Sequence, residues 1–265
     1  MLALQVLLPS SGAELPHHAW ANRDAVATLG APLFDEAVLV SACTQLRAWR
    51  NAGFEVSLCV PVSVESLARP ETAQEWLRVM SDEGVRSGLI DFGLTPLSGK
   101  LGPVVAANIT ALVDAGAAFS LLGFGSGFSS LSAVKQLPIS RLEVCAEHVR
   151  DLELDSDTLH VVKGMFEMAK ALGIAACAEA VDSAELAVQI FALGAEQYRG
   201  RGVSAPLTGA EVPAWVLREN GRWFQPTAPT SQPDPASFPA PRQGETVGGV
   251  WHRLMSRLLA KSDRR

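Results

Sequence analysis

The sequence predicts an α/β fold, a parallel (βα) barrel, on three observations. Predicted helices of about ten residues alternate with apolar runs of roughly four to seven residues, the length of buried strands. The chain has 265 residues, 48% apolar and 19% charged, enough for one barrel-sized domain with a large core. The apolar run 119–122 leads into the glycine-rich loop 123–127 and a predicted helix that ends before Pro138. Ligands of parallel α/β folds bind at such loops, at the carboxyl ends of strands.

The elements before this loop are predicted from apolar spacing and turn residues. The predicted strands are 2–8, 54–62 and 88–94, and the predicted helices are 19–29, 34–49, 73–80 and 104–115. The helix over 34–49 has the clearest pattern, because its apolar side chains recur at the 3-4 spacing of an amphipathic helix. These side chains are Phe34, Val38, Cys43, Leu46 and Trp49.

The elements after the loop continue the alternation. Residues 141–144 and the apolar run 174–178 are predicted strands, and 159–172 and 183–193 are predicted helices. Gly173 follows the first of these helices as a C-terminal stop. The barrel is therefore predicted to occupy residues 1–222.

Two segments beyond the barrel have a different composition. Residues 223–246 carry six prolines among Thr, Ser, Gln and Ala, which predicts an extended, flexible linker. Residues 247–265 carry five basic residues and one acid, a net +4, so the rest of the chain has a net charge of -10. Apolar residues of this tail recur at helical spacing and predict a basic amphipathic helix whose partner-binding face is Trp251, Leu254, Met255 and Leu258. The helix could dock on its own barrel, in the groove of a partner or on an anionic membrane; docking to protein is the preferred interpretation.

The glycine-rich loop resembles that of the EAL domain, the cyclic di-GMP phosphodiesterase family, which reads Asp-Asp-Phe-Gly-Thr-Gly-Tyr-Ser-Ser-Leu. The loop frame is retained as Phe124, Gly125, Ser126 and Gly127, followed by Phe-Ser-Ser-Leu. The resemblance covers about residues 4–218 and implies a TIM-like barrel of the EAL type. The family's first strand has no counterpart here, so the barrel is expected to be trimmed at its N-terminus.

The resemblance also implies that most of the family's metal-binding and catalytic positions hold other residues here. The family's asparagine, glutamate, two adjacent aspartates, lysine and closing glutamine fall on Pro61, Gly93, Leu122, Gly123, Glu143 and Arg199. The aspartate after the lysine falls on Cys145, and the run 4–8 lacks the first glutamate and its arginine. Only Glu179, in a segment similar to the family's Ala-Glu-Gly-Val-Glu, is retained as an acid. It could be a vestigial ligand or could hold a loop by hydrogen bonds, and Arg199 could pair with a phosphate or with Glu179.

These losses predict that the chain is not an enzyme. The family's hydrolysis needs two divalent metals held by oxygen ligands, and Leu, Pro and Gly supply no side-chain oxygen. No metal site and no cofactor are expected. The leading hypothesis is a catalytically inactive EAL-like domain that regulates bacterial signalling through a protein partner. One alternative is a cyclic di-GMP receptor that does not hydrolyse its ligand, and another is a residual phosphodiesterase.

Composition bears on other classes of function. A net charge of -6 argues against a general nucleic-acid binder. The absence of an apolar run of about 18 residues argues against a transmembrane segment, and the four cysteines show no metal spacing and suit reduced thiols in a cytoplasm. The five histidines form no recognisable catalytic group with a nucleophile. Homodimerisation remains open at this stage.

Overall fold

The computed structural model describes residues 3–5, 30–94, 101–126, 131–152 and 156–219. Several predictions lie outside these ranges and are not tested by the structure. They are the helix 19–29, Gly127, the linker 223–246 and the tail 247–265 with Trp251, Leu254, Met255 and Leu258.

The described residues form an α/β fold whose strands follow the order of the sequence in one sheet. The strands are β1 (Ala3–Gln5), β2 (Ser57–Val62), β3 (Ile90–Leu94), β4 (Ala118–Phe124), β5 (Arg141–Val144), β6 (Ala175–Ala178) and β7 (Gln197–Tyr198). The helices are α1 (Ala31–Asn51), α2 (Val64–Leu67), α3 (Thr72–Asp82), α4 (Pro103–Asp114), α5 (Leu131–Gln136), α6 (Ala146–Asp151), α7 (Ser156–Ala171), α8 (Ala184–Ala192) and α9 (Val212–Glu219), with a 3-10 turn at Ser87–Leu89. The chain divides into two compact units, Met1–Glu143 and Val144–Arg265. The predicted fold class is confirmed.

Each unit contains parallel strand pairs. In the first unit β1 pairs with β2, β2 with β3 and β3 with β4, all parallel. In the second unit β6 and β7 are parallel. Parallel neighbours need crossover connections, and the helices between β2, β3 and β4 provide them.

The two faces of β3 have different environments because side chains alternate along a strand. Phe92 points to the helical layer, where its ring stacks on Trp76 of α3 with the centroids 5.0 Å apart. The ring of Phe119 on β4 lies 5.3 Å from Phe92 and extends this aromatic layer. Asp91 and Gly93 lie on the opposite face of β3, the face away from the helical layer.

The four cysteines are reduced and buried, as the apolar runs around three of them predict. Burial, with a smaller effect of Glu83, raises the pKa of Cys43 to about 12. Burial also raises the pKa of Cys145, which immediately precedes α6. The thiols of Cys43 and Cys145 are therefore protonated core groups at neutral pH.

Asp35 and Asn108 fix the segment that follows β2. One carboxylate oxygen of Asp35 accepts hydrogen bonds from the backbone N–H and hydroxyl of Ser63, both at 2.8 Å, and from the hydroxyl of Ser66 at 2.6 Å. The buried Asn108 of α4 donates to the carbonyls of Leu67 and Arg69 and accepts from the N–H of Ala73. Two buried polar side chains thus hold the connection between β2 and α3.

Replacing Asn108 with alanine is expected to lower the free energy of unfolding by about 2–4 kcal/mol, since three buried backbone groups lose their partner. Urea unfolding followed by circular dichroism measures the change. Thr110→Ala is the control, because Thr110 lies on the same helix, is exposed, and its hydroxyl donates to the carbonyl of Ala106, one turn earlier in that helix. An Asn108→Ala protein as stable as the Thr110→Ala protein would contradict this role.

The structure differs from the sequence predictions at short elements. Gly123 and Phe124, predicted in the loop, belong to β4. Glycine permits the positive φ of 62° at residue 123, and the side chain of Phe124 is buried. Helices α2 and α6 and strand β7 were not predicted, since each is too short to show a period. Helix α9 follows the predicted strands and was also missed. Of the predicted strand 2–8, the structure describes only Ala3–Gln5.

Candidate functional site

Three of the predicted cleft residues lie at the carboxyl ends of adjacent strands in the first unit. Pro61 of β2 is directly opposite Gly93 of β3, and Leu122 lies near the end of β4. A Cβ atom added to Gly93 would lie 2.6 Å from Cδ1 of Leu122 and 3.1 Å from Sγ of Cys59. The space beside Gly93 is therefore filled by apolar and thiol groups, and Leu122 and Cys59 are both buried.

This arrangement does not fit the divalent metals that the EAL resemblance implies. Mg²⁺ is bound by carboxylate, amide or carbonyl oxygens at about 2.0–2.1 Å. Pro61, Gly93 and Leu122 carry no side-chain oxygen, and Leu122 occupies the position that a longer side chain at residue 93 would need. No catalytic step through a metal can be derived from these three residues.

We expect Gly93→Ala to destabilise the protein by about 1–3 kcal/mol, because the new methyl group would overlap Leu122. The same substitution in a Leu122→Ala background should cost much less, since the clashing side chain is gone. A double-mutant cycle measured by urea unfolding tests this packing. Equal costs in the two backgrounds would show that Leu122 does not fill the site.

On the same face, the predicted cleft residue Glu143 belongs to a buried polar cluster with Asp91, Ser120 and Arg141, three residues that the sequence did not indicate. Both carboxylate oxygens of Asp91 accept from the hydroxyl of Ser120 at 2.7 Å, and the Arg141 guanidinium forms an ion pair with Asp91. Glu143 of β5 is 1% exposed. The available signal was one acid inside the apolar run of β3 and an arginine at the start of β5.

The charge state of Asp91 is set by opposing influences. Burial raises the pKa of this carboxyl, and the nearby charge of Glu143 acts in the same direction. The Arg141 guanidinium and the Ser120 hydroxyl lower it, and the net pKa is raised. The Arg141 guanidinium therefore compensates the charge of Asp91 beside a second buried carboxyl group, that of Glu143.

The loop frame retains the backbone geometry that glycine allows. Gly123 and Gly125 have φ values of 62° and 99°, which other residues rarely adopt. The N–H of Ser126 donates to the carbonyl of Gly123 at 3.3 Å and closes a turn. Phe124 is buried within this turn, so the described part of the frame is a packed structural feature.

In the second unit, the structure places Glu179 and Arg199 together. Glu179 lies immediately after β6 and Arg199 immediately after β7, and their Oε1 and Nη2 atoms are 3.1 Å apart. The side chain of Glu179 is 9% exposed and that of Arg199 is 26% exposed. Of the two roles considered for Arg199, the structure shows the ion pair with Glu179.

The segment after Arg199 packs against the loop after β6. The N–H of Val181 donates to the carbonyl of Arg199 at 2.9 Å, and the N–H of Gly202 donates to the carbonyl of Val181 at 3.1 Å. A Cβ at Gly200 would lie 2.3–2.5 Å from backbone atoms of Val181. Ala180, in the same loop, has a positive φ of 57°. The two loops therefore approach so closely that only glycine fits at residue 200.

Comparison with known proteins adds to this geometry. The profile of the EAL domain matches residues 21–206. Cyclic di-GMP phosphodiesterase PdeR of Escherichia coli is 25% identical over 182 residues, covering 68% of this chain and 28% of PdeR. The bifunctional diguanylate cyclase/cyclic di-GMP phosphodiesterase MucR of Pseudomonas aeruginosa is 26% identical over 195 residues, covering 68% of this chain and 27% of MucR. The chain thus spans about a quarter of the length of these relatives.

A solved structure is also similar. The PaMucR phosphodiesterase in complex with c-di-GMP superimposes with a TM-score of 0.65, covering 74% of this chain and 78% of that chain at 21% identity. This similarity supports the fold. None of the helices in the described ranges is both long and apolar enough to cross a membrane. On the profile match over most of its length, this chain belongs to the EAL domain family.

Proposed function

We propose that this EAL domain does not hydrolyse cyclic di-GMP and acts as a signalling regulator through contact with a protein partner in the cytoplasm. One observation carries the proposal: Leu122 and Cys59 fill the space beside Gly93, where the EAL resemblance implies an acidic metal ligand. Hydrolysis by two metals needs ligands that hold the ions and activate water. A leucine, a glycine and a proline at neighbouring strand ends supply none of them.

The geometry of the second unit supports the same proposal. Glu179 matches a family acid, and the guanidinium of Arg199 lies 3.1 Å from it. A carboxylate that is largely buried and paired with arginine is neutralised by that partner, so it attracts a cation less strongly than a free carboxylate. The retained acid is thereby explained as part of a loop contact.

Binding of cyclic di-GMP without hydrolysis is the second candidate. It would require Arg199 to exchange Glu179 for a phosphate, since the sequence lacks the strand arginine and the closing glutamine implied by the family. No contact among the described residues favours that exchange over the ion pair that is present.

Titration calorimetry of the full chain with cyclic di-GMP, with and without Mg²⁺, tests the choice between these two functions. We expect no binding heat at ligand concentrations up to about a millimolar, a free energy weaker than roughly 4 kcal/mol. Metal-independent binding at micromolar concentration would contradict a purely protein-contact role and would make the domain a receptor. An Arg199→Ala variant that abolished such binding would assign the phosphate to Arg199.

A further inference from the structure

Helix α7 (Ser156–Ala171) of the second unit has an exposed face that carries no charge from Val161 onward. Val161 is 47% exposed and Leu172, directly after the helix, is 55% exposed. Met165 and Met168 lie between them and are half-buried. The four residues recur at 4-3-4 spacing, so they form one stripe along the helix, here called the α7 stripe.

No close contact among the described residues requires the glycine found next to this stripe. Gly164 lies in the middle of α7, where glycine favours the helix less than alanine does. A Cβ added at Gly164 would meet no atom within 4 Å among the described residues. Ala171, also small, lies about two turns further along on the same side. Small residues beside an apolar stripe allow a second helix to approach closely.

We propose that the tail segment 250–259 of the same chain covers the α7 stripe as a helix. Trp251, Leu254 and Leu258 repeat at 3-4 spacing, which matches the spacing of the α7 stripe. Two helices with such stripes can pack side by side with their apolar residues interlocked. Gly164 then leaves room for a bulky side chain of the tail.

The length of the chain between α9 and the tail permits this contact. Helix α9 ends at Glu219, and thirty residues separate it from Val250. Thirty residues span roughly 30 Å even as a random coil, comparable to the diameter of a small domain.

Charge favours the tail as the occupant. The last 19 residues carry +4 and the rest of the chain -10, so the tail is attracted to the body of its own molecule. Asp157, which is exposed, continues the line of the α7 stripe one turn toward the N-terminus, and Glu167, beside the stripe, pairs with Lys163 at 3.9 Å. The proposal does not depend on whether the chain hydrolyses or binds cyclic di-GMP. It adds that a partner that binds the α7 stripe, or the apolar face of the tail, must first separate the two.

Hydrogen–deuterium exchange of the full chain tests the contact. In a Leu254→Asp/Leu258→Asp variant we expect amides of α7 to exchange at least tenfold faster than in the wild type. The control, Ser256→Asp/Ala260→Asp, adds the same charge to the opposite side of the tail helix and should leave α7 unchanged. In the reciprocal direction, Val161→Asp should speed exchange of residues 250–261, whereas His160→Asp, on the charged side of α7, should not.

Three results would overturn the proposal. One is identical α7 exchange in the wild type and in the Leu254→Asp/Leu258→Asp variant, with amides of α3 as the internal reference for intact folding. Another is wild-type α7 protection that rises with protein concentration, which would make a second copy the occupant. The third is protection of the tail only after vesicles of anionic phospholipid are added, which would make the membrane its partner.

Discussion

Replacement of Arg141 by methionine is expected to lower the free energy of unfolding by about 3–5 kcal/mol at pH 8. The substitution leaves Asp91 buried without its cation and next to the buried Glu143, while methionine keeps much of the arginine's volume. Urea unfolding measures the loss. Arg86→Met is the control: its ion pair with Glu55 is exposed on both sides, so it should cost less than about 1 kcal/mol.

The loss should be smaller at pH 5 than at pH 8. Burial raises the pKa of Asp91 in the folded protein, so the folded state binds a proton more tightly than the unfolded chain does. The stability contributed by this group is therefore lost as the pH rises above the pKa of the unfolded chain, about 4. The Arg141→Met substitution removes the positive charge that lowers the pKa of Asp91. The free energy of unfolding of the variant should therefore fall more steeply with rising pH than that of the wild type. A variant equally destabilised at both pH values would show that Asp91 does not take up the proton.

Gly200→Ala should also destabilise the protein by about 3–5 kcal/mol, an unusually large effect for one methyl group. The added Cβ would lie 2.3 Å from the carbonyl oxygen of Val181, and backbone atoms cannot move aside as a flexible side chain can. The loop that carries Arg199 would have to separate from the loop after Glu179. Thermal unfolding and the yield of soluble protein report this change.

Gly102→Ala is the matched control for Gly200→Ala. Gly102 has a negative φ of -71°, and a Cβ there would meet nothing within 4 Å among the described residues. Its substitution should lower the unfolding free energy by less than about 1 kcal/mol, because only the preference for glycine over alanine at the N-cap of α4 is lost. Similar stability of the two variants would contradict the close approach of the loops.

Local sequence patterns predict the fold well where the elements are long. The helix predicted at 34–49 is Ala31–Asn51, and the strand predicted at 141–144 is Arg141–Val144. In α1 the buried residues Val38, Leu46 and Trp49 recur at helical spacing, so the period was visible in the sequence.

The polar interior was harder to predict. Asp91 pairs with an arginine fifty residues later in the chain, and only the neighbouring positions of β3, β4 and β5 bring the two together. The packing of Leu122 against Gly93 is likewise a contact between strands, which a local pattern does not reveal. The ion pair of Glu179 and Arg199 was one of two alternatives in the sequence, and the geometry of the loops decides between them.

A hydrolysis assay is the most direct test of the proposal that this EAL domain does not hydrolyse cyclic di-GMP. The full chain is incubated with cyclic di-GMP and Mg²⁺, and separately with Mn²⁺, and the linear product is separated by chromatography, with PdeR as the positive control. We predict no product above the protein-free blank under conditions in which PdeR consumes its substrate. Metal-dependent product formation that disappears in a Glu179→Gln variant would contradict the account.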